Sequence, residues 1–557
     1  MKLSKTLPIL LLASTLVFAR NPKIARDLDS ADPSSNVDVI VQFKRAPTEA
    51  HHQKIRARGG VHKRNLDLVK GSLYSVPAGK LRELADDPDV AYISPDRRID
   101  AAATVTPDYK LQAVTADIAQ TYGWNGAGIG VAIIDSGISD KPDLHGSGVG
   151  FRVVYAQNFL TGGGGGDGFG HGTHVAGIVG GTGGQSNGVY AGVAPKVSFI
   201  NLLVLDPNSG ASADSIVIAA INRAIQLKSQ YNIRVINLSL GRPVFESYTV
   251  DPLCQAVEAA WNAGIVVVVA AGNDGRNNSA NTAGYGTITA PGNDPYVITV
   301  GAMKPGGTAS RSDDLIASYS SKGPTLFDHI AKPDLVAPGN RIVSVLAGGT
   351  LGQTYKSNVT DGAYFILSGT SMATPMVSGA AALLLQQNPN LTPDQVKARL
   401  MKTAYKAFPA SSIATDPTTG AIYTSYYDLF TVGAGYLDVW AALSNADTLT
   451  AGKTALSPTA VYNAITKQVS LAFGSSVVWG DNVVWGTNVV WGDNVVWGTN
   501  VVWGTNVVWG TNVVWGTNVV WGTSGTHGFN VVWGTNVVWG TSQPGGESSI
   551  LTVAGEN

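Results

Sequence analysis

Val131-Ala132-Ile133-Ile134-Asp135-Ser136-Gly137 is an apolar run closed by a carboxylate and a glycine. A continuous apolar run, without polar alternation, describes a strand buried on both faces rather than one facing water. Runs of the same kind predict strands at Gly130–Ile134, Lys196–Val204, Val235–Leu238, Ile265–Ala270 and Tyr296–Val300. Between and after them, helical patterns cover His171–Val179, Ser212–Tyr231, Asp251–Gly264, Ser371–Gln387 and Thr392–Thr403. Buried strands alternating with helices specify an α/β fold, a mostly parallel sheet flanked by helices. Such sheets place their sites just beyond strand carboxyl ends, which is where Asp135, Asn273 and Asn237-Leu238-Ser239-Leu240-Gly241 fall.

Three further stretches carry chemistry. His171-Gly172-Thr173-His174-Val175-Ala176-Gly177 puts a histidine at a helix start, and Ala270-Ala271-Gly272-Asn273 ends a strand in a carboxamide. Gly369-Thr370-Ser371-Met372-Ala373-Thr374-Pro375 reads as a loop turning into a helix, whose free N–H groups favour negative charge at Ser371. Each has an ordinary reading: Asp135 and Asn273 as turn residues, Ser371 as a cap. Asp, His, Asn and Ser in that order form the footprint of a hydrolase with a Ser-His-Asp triad and a side-chain oxyanion donor.

DSGI, HGTHVAGI, AAGN and GTSMATP, in this order, resemble the four motifs of the subtilisin-like serine proteases, the subtilases, over about Asp108 to Leu443. The resemblance implies a serine endopeptidase with Ser371 as nucleophile, His171 as base, Asp135 orienting the imidazole, and Asn273 with the Ser371 amide holding the oxyanion. In HGTH the family's catalytic histidine is the first, so His174 is the packing residue, while Gly172 leaves room for substrate. Peptide substrate would pair along Ser239, Leu240 and Gly241 as an added strand. Its P1 side chain would enter between that segment and Ala271, Gly272 and Asn273, whose small residues suit an apolar or aromatic group. No cofactor is required for catalysis. The family's structural calcium has a similar position here at Asp334, near the backbone of Pro291; an ordinary sheet-edge aspartate is the alternative.

The 557 residues exceed one domain, and 44% hydrophobic content supplies a sizeable core. A net charge of −1, with 14% charged residues, gives no footprint for nucleic acid or anionic lipid. Cys254 is the single cysteine, so no intrachain disulfide forms; it reads as a small buried residue. Gly162–Gly166 lacks the Lys-Ser/Thr ending of a phosphate loop.

Residues 1–19 have the form of a secretory signal: Lys2 and Lys5, an apolar run from Leu7 to Phe18, then Ala19. No later run is long enough to span a membrane. Residues 20–104 alternate strand and helix patterns and resemble the subtilases' inhibitor-type propeptide, which in the family chaperones folding, occupies the active site and is removed by self-cleavage. A permanent accessory domain is the other reading. The catalytic domain is expected over 105–445 and a linker with some strand character over 446–475. At 476–541 Val-Val-Trp-Gly-Thr-Asn repeats every six residues, followed by a tail at 542–557. Val-Val-Trp favours strand and Gly-Thr-Asn turn, so a β-type module is expected, either binding a surface or polymer or serving as an inert spacer.

Overall fold

The computed structural model describes residues 21–25, 28, 31–96, 108–146, 148, 150–160, 166–416, 419–447, 453–463, 468–472 and 556. The signal at 1–19, the repeat at 476–541 and most of the loop at Gly162–Gly166 lie outside the described residues. The chain divides into two compact units, residues 1–104 and 105–557.

The first unit is an antiparallel sheet of four strands in the order Val61–Leu66, Gly71–Pro77, Asn36–Phe43, Val90–Pro95. Helices Glu49–Arg56 and Leu81–Ala85 accompany it. Its core is small, built on Val39, Val41, Tyr74, Val76 and Ile93.

The second unit is built on a sheet of eight strands. From one edge it runs Val153–Asn158, Ser198–Leu203, Gly130–Asp135, Ile233–Leu238, Val266–Ala270 and Ile298–Lys304; Leu315–Ile316 and Leu335–Pro338 both pair with the last. All pairings are parallel except that of Leu315–Ile316. Every residue of Gly130–Asp135 and of Val266–Ala270 is buried, as continuous apolar runs require when helices cover a sheet on both faces.

Five helices flank the sheet or close its ends: His171–Gly180, Asp214–Tyr231, Pro252–Asn262, Thr370–Gln387 and Pro393–Thr403. Thr370–Gln387 is buried almost throughout, packing on the three strands from Ile233 to Lys304 and on the His171 helix. Its small residues allow that approach: a β-carbon on Gly379 would lie 2.6 Å from the Val193 β-carbon. Asp251 caps Pro252–Asn262 by accepting from the Leu253 and Cys254 amides, and Cys254 is buried. Among the described residues no helix is long and apolar enough to cross a membrane.

The sequence does not announce Val153–Asn158, an edge strand with a half-exposed alternating pattern, nor the hairpin Ser411–Thr415/Ile422–Tyr426. The hairpin Thr459–Asn463/Gln468–Ala472 lies within the stretch expected to be a linker with some strand character. It is tied to the catalytic unit, with Ala331 N–H donating to the Pro458 carbonyl at 2.8 Å and Ala460 N–H to that of His329 at 2.7 Å.

Candidate active site

Asp135 ends its strand fully buried, and its Oδ1 accepts from the Ser136 amide and from His171 Nδ1, both at 2.7 Å. Among the described residues its Oδ2 has no hydrogen-bond partner. Burial opposes a charged His171, yet the Asp135 charge and hydrogen bond, with Asp167 behind them, hold its pKa above the ordinary imidazole value.

The His171 helix is fastened to the Asp135 loop by Asp167, a residue that no sequence motif marks. Asp167 accepts from the Gly170 amide at 2.6 Å, the Thr173 amide at 2.8 Å and the Ser136 hydroxyl at 2.8 Å. The Ser136 oxygen in turn accepts from the Gly172 amide at 2.9 Å. Amides at and beside the helix N-terminus are thereby satisfied by two side chains. Gly172 serves this contact rather than leaving room for substrate: a β-carbon there would sit 2.3 Å from the Gly137 carbonyl oxygen.

His174 is fully buried, with Nε2 3.2 and 2.9 Å from the Ile342 and Phe365 carbonyls. Burial pulls its pKa down to about 3, so it is a neutral packing residue.

Ser371 is the second residue of its helix. Its hydroxyl donates to the Ser239 carbonyl at 3.1 Å, and no hydrogen bond joins it to His171 Nε2 among the described residues. The Ser239 hydroxyl reciprocates, donating to the Ser371 carbonyl at 2.8 Å and accepting from Asn237 Nδ2 at 2.9 Å. Pro375 explains why: it has no N–H for the carbonyl four residues back, which is that of Ser371, so Ser239 supplies the missing donor.

Asn273 uses its Oδ1 to accept from the Thr370 amide at 2.9 Å, which turns Nδ2 toward Gly369. Gly369 has φ 146°, and a β-carbon there would lie 3.3 Å from Asn273 Nδ2 and 3.7 Å from the Ser371 nitrogen. Glycine thus keeps open a corner bordered by the Asn273 Nδ2 and Ser371 nitrogen atoms, at a φ that other residues rarely adopt.

Ser239, Leu240 and Gly241 run beside a cleft of about 400 Å³ that also touches His171, Leu205 and Val217. Behind Gly241 and Gly272 stands Thr289, also unforeseen. A β-carbon on either glycine would lie 2.6 or 2.7 Å from its side chain, and its amide donates to the Ala271 carbonyl at 3.0 Å.

Asp334, the position expected to resemble a calcium site, is paired with lysines. The Lys332 ammonium lies 2.7 Å from its Oδ2 and the Lys397 ammonium 3.1 Å from its Oδ1. Lys397 Nζ also meets the carbonyls of Pro295, Tyr296 and Val297 and the Ser457 hydroxyl at 2.8, 3.2, 3.0 and 2.9 Å. Burial would raise the Asp334 pKa, but the two ammonium groups hold it below the usual carboxylate range. These oxygens fit the lysines, and a divalent ion would meet two positive charges. Pro291 accepts from the Asp294 amide at 3.1 Å in a turn.

Comparison with known proteins agrees with this architecture. Residues 126–435 match the model of the subtilase family. Serine protease AprX of Bacillus subtilis is 43% identical over 279 residues, which cover 49% of this chain and 60% of that protein. Subtilisin E of the same organism is 36% identical over 400 residues, covering 71% of this chain and 92% of that protein. The extracellular serine proteinase of Thermus sp. is 36% identical over 341 residues, 60% of this chain and 70% of that protein. With its parallel sheet and a family match across more than half its length, the chain belongs to the subtilase family and is a serine endopeptidase.

Proposed function

We propose that the chain is a secreted endopeptidase that cleaves peptide bonds through Ser371, His171 and Asp135, with Asn273 as oxyanion donor. One observation supports this reading: His171, bonded to Asp135, and Ser239, whose carbonyl accepts from the Ser371 hydroxyl, line one cleft.

In the reaction the Ser371 hydroxyl leaves the Ser239 carbonyl, turns to His171 Nε2 and attacks the scissile carbonyl carbon as its proton passes to the imidazole. The new oxyanion is met by Asn273 Nδ2 and the Ser371 amide. Losing one such donor costs roughly 2.7–4 kcal/mol, a magnitude that comes from subtilisin. His171 then protonates the departing amine, the peptide C–N bond breaks, and water repeats the sequence on the acyl-enzyme. Asp135 holds the imidazole tautomer and stabilises the transient imidazolium. Substrate lies along Ser239–Gly241 as an added strand, with its P1 side chain between that segment and Ala271–Asn273.

The processing scheme belongs to the same proposal. Residues 1–19 direct secretion, in keeping with an extracellular relative, and residues 20–104 are an intramolecular inhibitor removed on maturation. The catalytic domain spans 105–445, a linker 446–475, and a surface- or polymer-binding repeat 476–541 with its tail at 542–557. A serine-directed fluorophosphonate should label the parent and not Ser371→Ala, and that variant should neither hydrolyse casein nor release residues 20–104. Maturation of Ser371→Ala expressed alone would refute self-processing; labelling of it would refute Ser371 as nucleophile.

A further inference from the structure

Arg276, Ser318 and Asn340 line a buried recess of the catalytic unit that is filled from far along the sequence. Glu556 lies 280 positions beyond Arg276, past the whole repeat, and is only 5% exposed. Its carboxylate accepts from Arg276 Nη2 at 2.5 Å, from the Ser318 amide at 3.1 Å and from the Ser318 hydroxyl. Its main chain is read as well: the Glu556 amide donates to Asn340 Oδ1 at 2.7 Å, and Asn340 Nδ2 donates to the Glu556 carbonyl at 2.9 Å.

The recess is held in shape by groups other than its occupant. Arg276 donates from Nε to the Ser318 hydroxyl at 2.6 Å and from Nη1 to Asp416 at 3.0 Å, and its guanidinium stands 4.6 Å from the Tyr423 ring centroid. That leaves Nη2 for a carboxylate. A carboxamide that binds both the N–H and the C=O of one residue selects extended peptide, and a fixed guanidinium selects an acidic side chain.

We propose that Arg276, Ser318 and Asn340 form a receptor for a glutamate-bearing peptide segment, occupied in cis by Glu556. The polypeptide carrying the repeat is then fastened to the catalytic unit twice. Upstream it is held at Ser457, Pro458 and Ala460, with the Ser457 hydroxyl 2.5 Å from Asp334 Oδ1; downstream it is held at Glu556. The receptor also adjoins the Ser371 loop. Gly339, beside Asn340, accepts from the Gly369 amide at 2.8 Å and from the Tyr319 hydroxyl at 3.2 Å.

The test compares three proteins, each carrying Ser371→Ala to prevent self-digestion: the full chain, full-length Glu556→Gln, and a chain ending at Leu551. The shortened chain should melt lower by about 3 °C or more, as expected when a buried charge loses its partner. A synthetic hexapeptide with the sequence of residues 552–557 should raise that Tm dose-dependently, and the same hexapeptide carrying Glu556→Gln should not. In full-length Glu556→Gln the Ser318 amide should exchange with solvent at least ~10-fold faster, a readout available even where the shortened chain does not fold. Equal melting of the full and shortened chains, no response to the peptide, or unchanged Ser318 exchange in Glu556→Gln would overturn the proposal.

Discussion

The buried charged groups around Asp334 and those around Asp135 differ in what they leave unpaired. Around Asp334 both carboxylate oxygens face lysine ammonium groups, and Lys397 alone meets five oxygen atoms. Around Asp135 the pairing stays incomplete: among the described residues Oδ2 has no partner, and the Asn273 Nδ2 and Ser371 nitrogens border a corner kept clear by Gly369. A closed cluster contributes to holding the fold, because its charges gain nothing from a newcomer. An open cluster keeps hydrogen-bonding capacity for a charge that exists only during reaction. Burial is common to both, so burial alone does not mark the site.

The sharpest way to break this contrast is Asp135→Asn. It should lower kcat about 10⁴-fold by favouring the wrong imidazole tautomer, while thermal unfolding at a pH where His171 is neutral changes little or improves, since a partly unpaired buried charge is removed. In the parent, His171 must be neutral to act as base and its pKa is raised. The acid limb of kcat/KM should therefore lie above about 6.5, the ordinary imidazole value, with activity falling as pH drops through it. The sign for stability is opposite. A raised folded-state pKa contributes stability fully present below about 6.5 and lost as pH rises through the folded value. The site is thus held most firmly where it is least active. A pH profile with its limb at or below the ordinary value would break the argument. Lys397→Met should show the reverse pattern, losing about 3–5 kcal/mol of stability to stranded buried oxygens and keeping its kcat/KM while folded. Denaturant unfolding beside kinetics on a small peptide substrate separates the two outcomes; a variant that unfolds like the parent would show that the closed cluster stabilises nothing.

What the sequence shows about these regions follows the range of the physics. The five central parallel strands were legible because burial on two faces leaves an uninterrupted apolar run, as at Val266–Ala270, whereas the four-residue Leu335–Pro338, also parallel, was too short to stand out. Asp135, His171, Asn273 and Ser371 were legible because each sits at a strand or helix end carrying a recognisable local pattern. The edge strand Val153–Asn158 was not, since one half-exposed alternation resembles many loops. Partnerships across the chain left no local trace: Asp334 with Lys397, 63 positions on, and Arg276 with Glu556 pair only once the fold exists. Asp167 lay between these cases, close in sequence to the helix it fastens but without a spacing that separates it from an ordinary loop aspartate.

Ser239 belongs to both kinds of region, and the smallest expected effect tests it. Its carbonyl receives the Ser371 hydroxyl while its own hydroxyl satisfies the Ser371 carbonyl that Pro375 leaves without a helical donor. Ser239→Ala keeps the first contact and removes the second, stranding a carbonyl at the helix start for roughly 1–3 kcal/mol. Both stability and kcat should fall, because the stranded group belongs to the nucleophile's own peptide unit. Pro375→Ala supplies an N–H four residues along, and in that background the cost of Ser239→Ala should shrink by at least about half a kcal/mol, the coupling expected of groups serving one atom. Equal costs in the two backgrounds, measured by denaturant unfolding of the four proteins with Ser371→Ala added, would mean that Ser239 acts through its surroundings and not through the carbonyl that proline sets free.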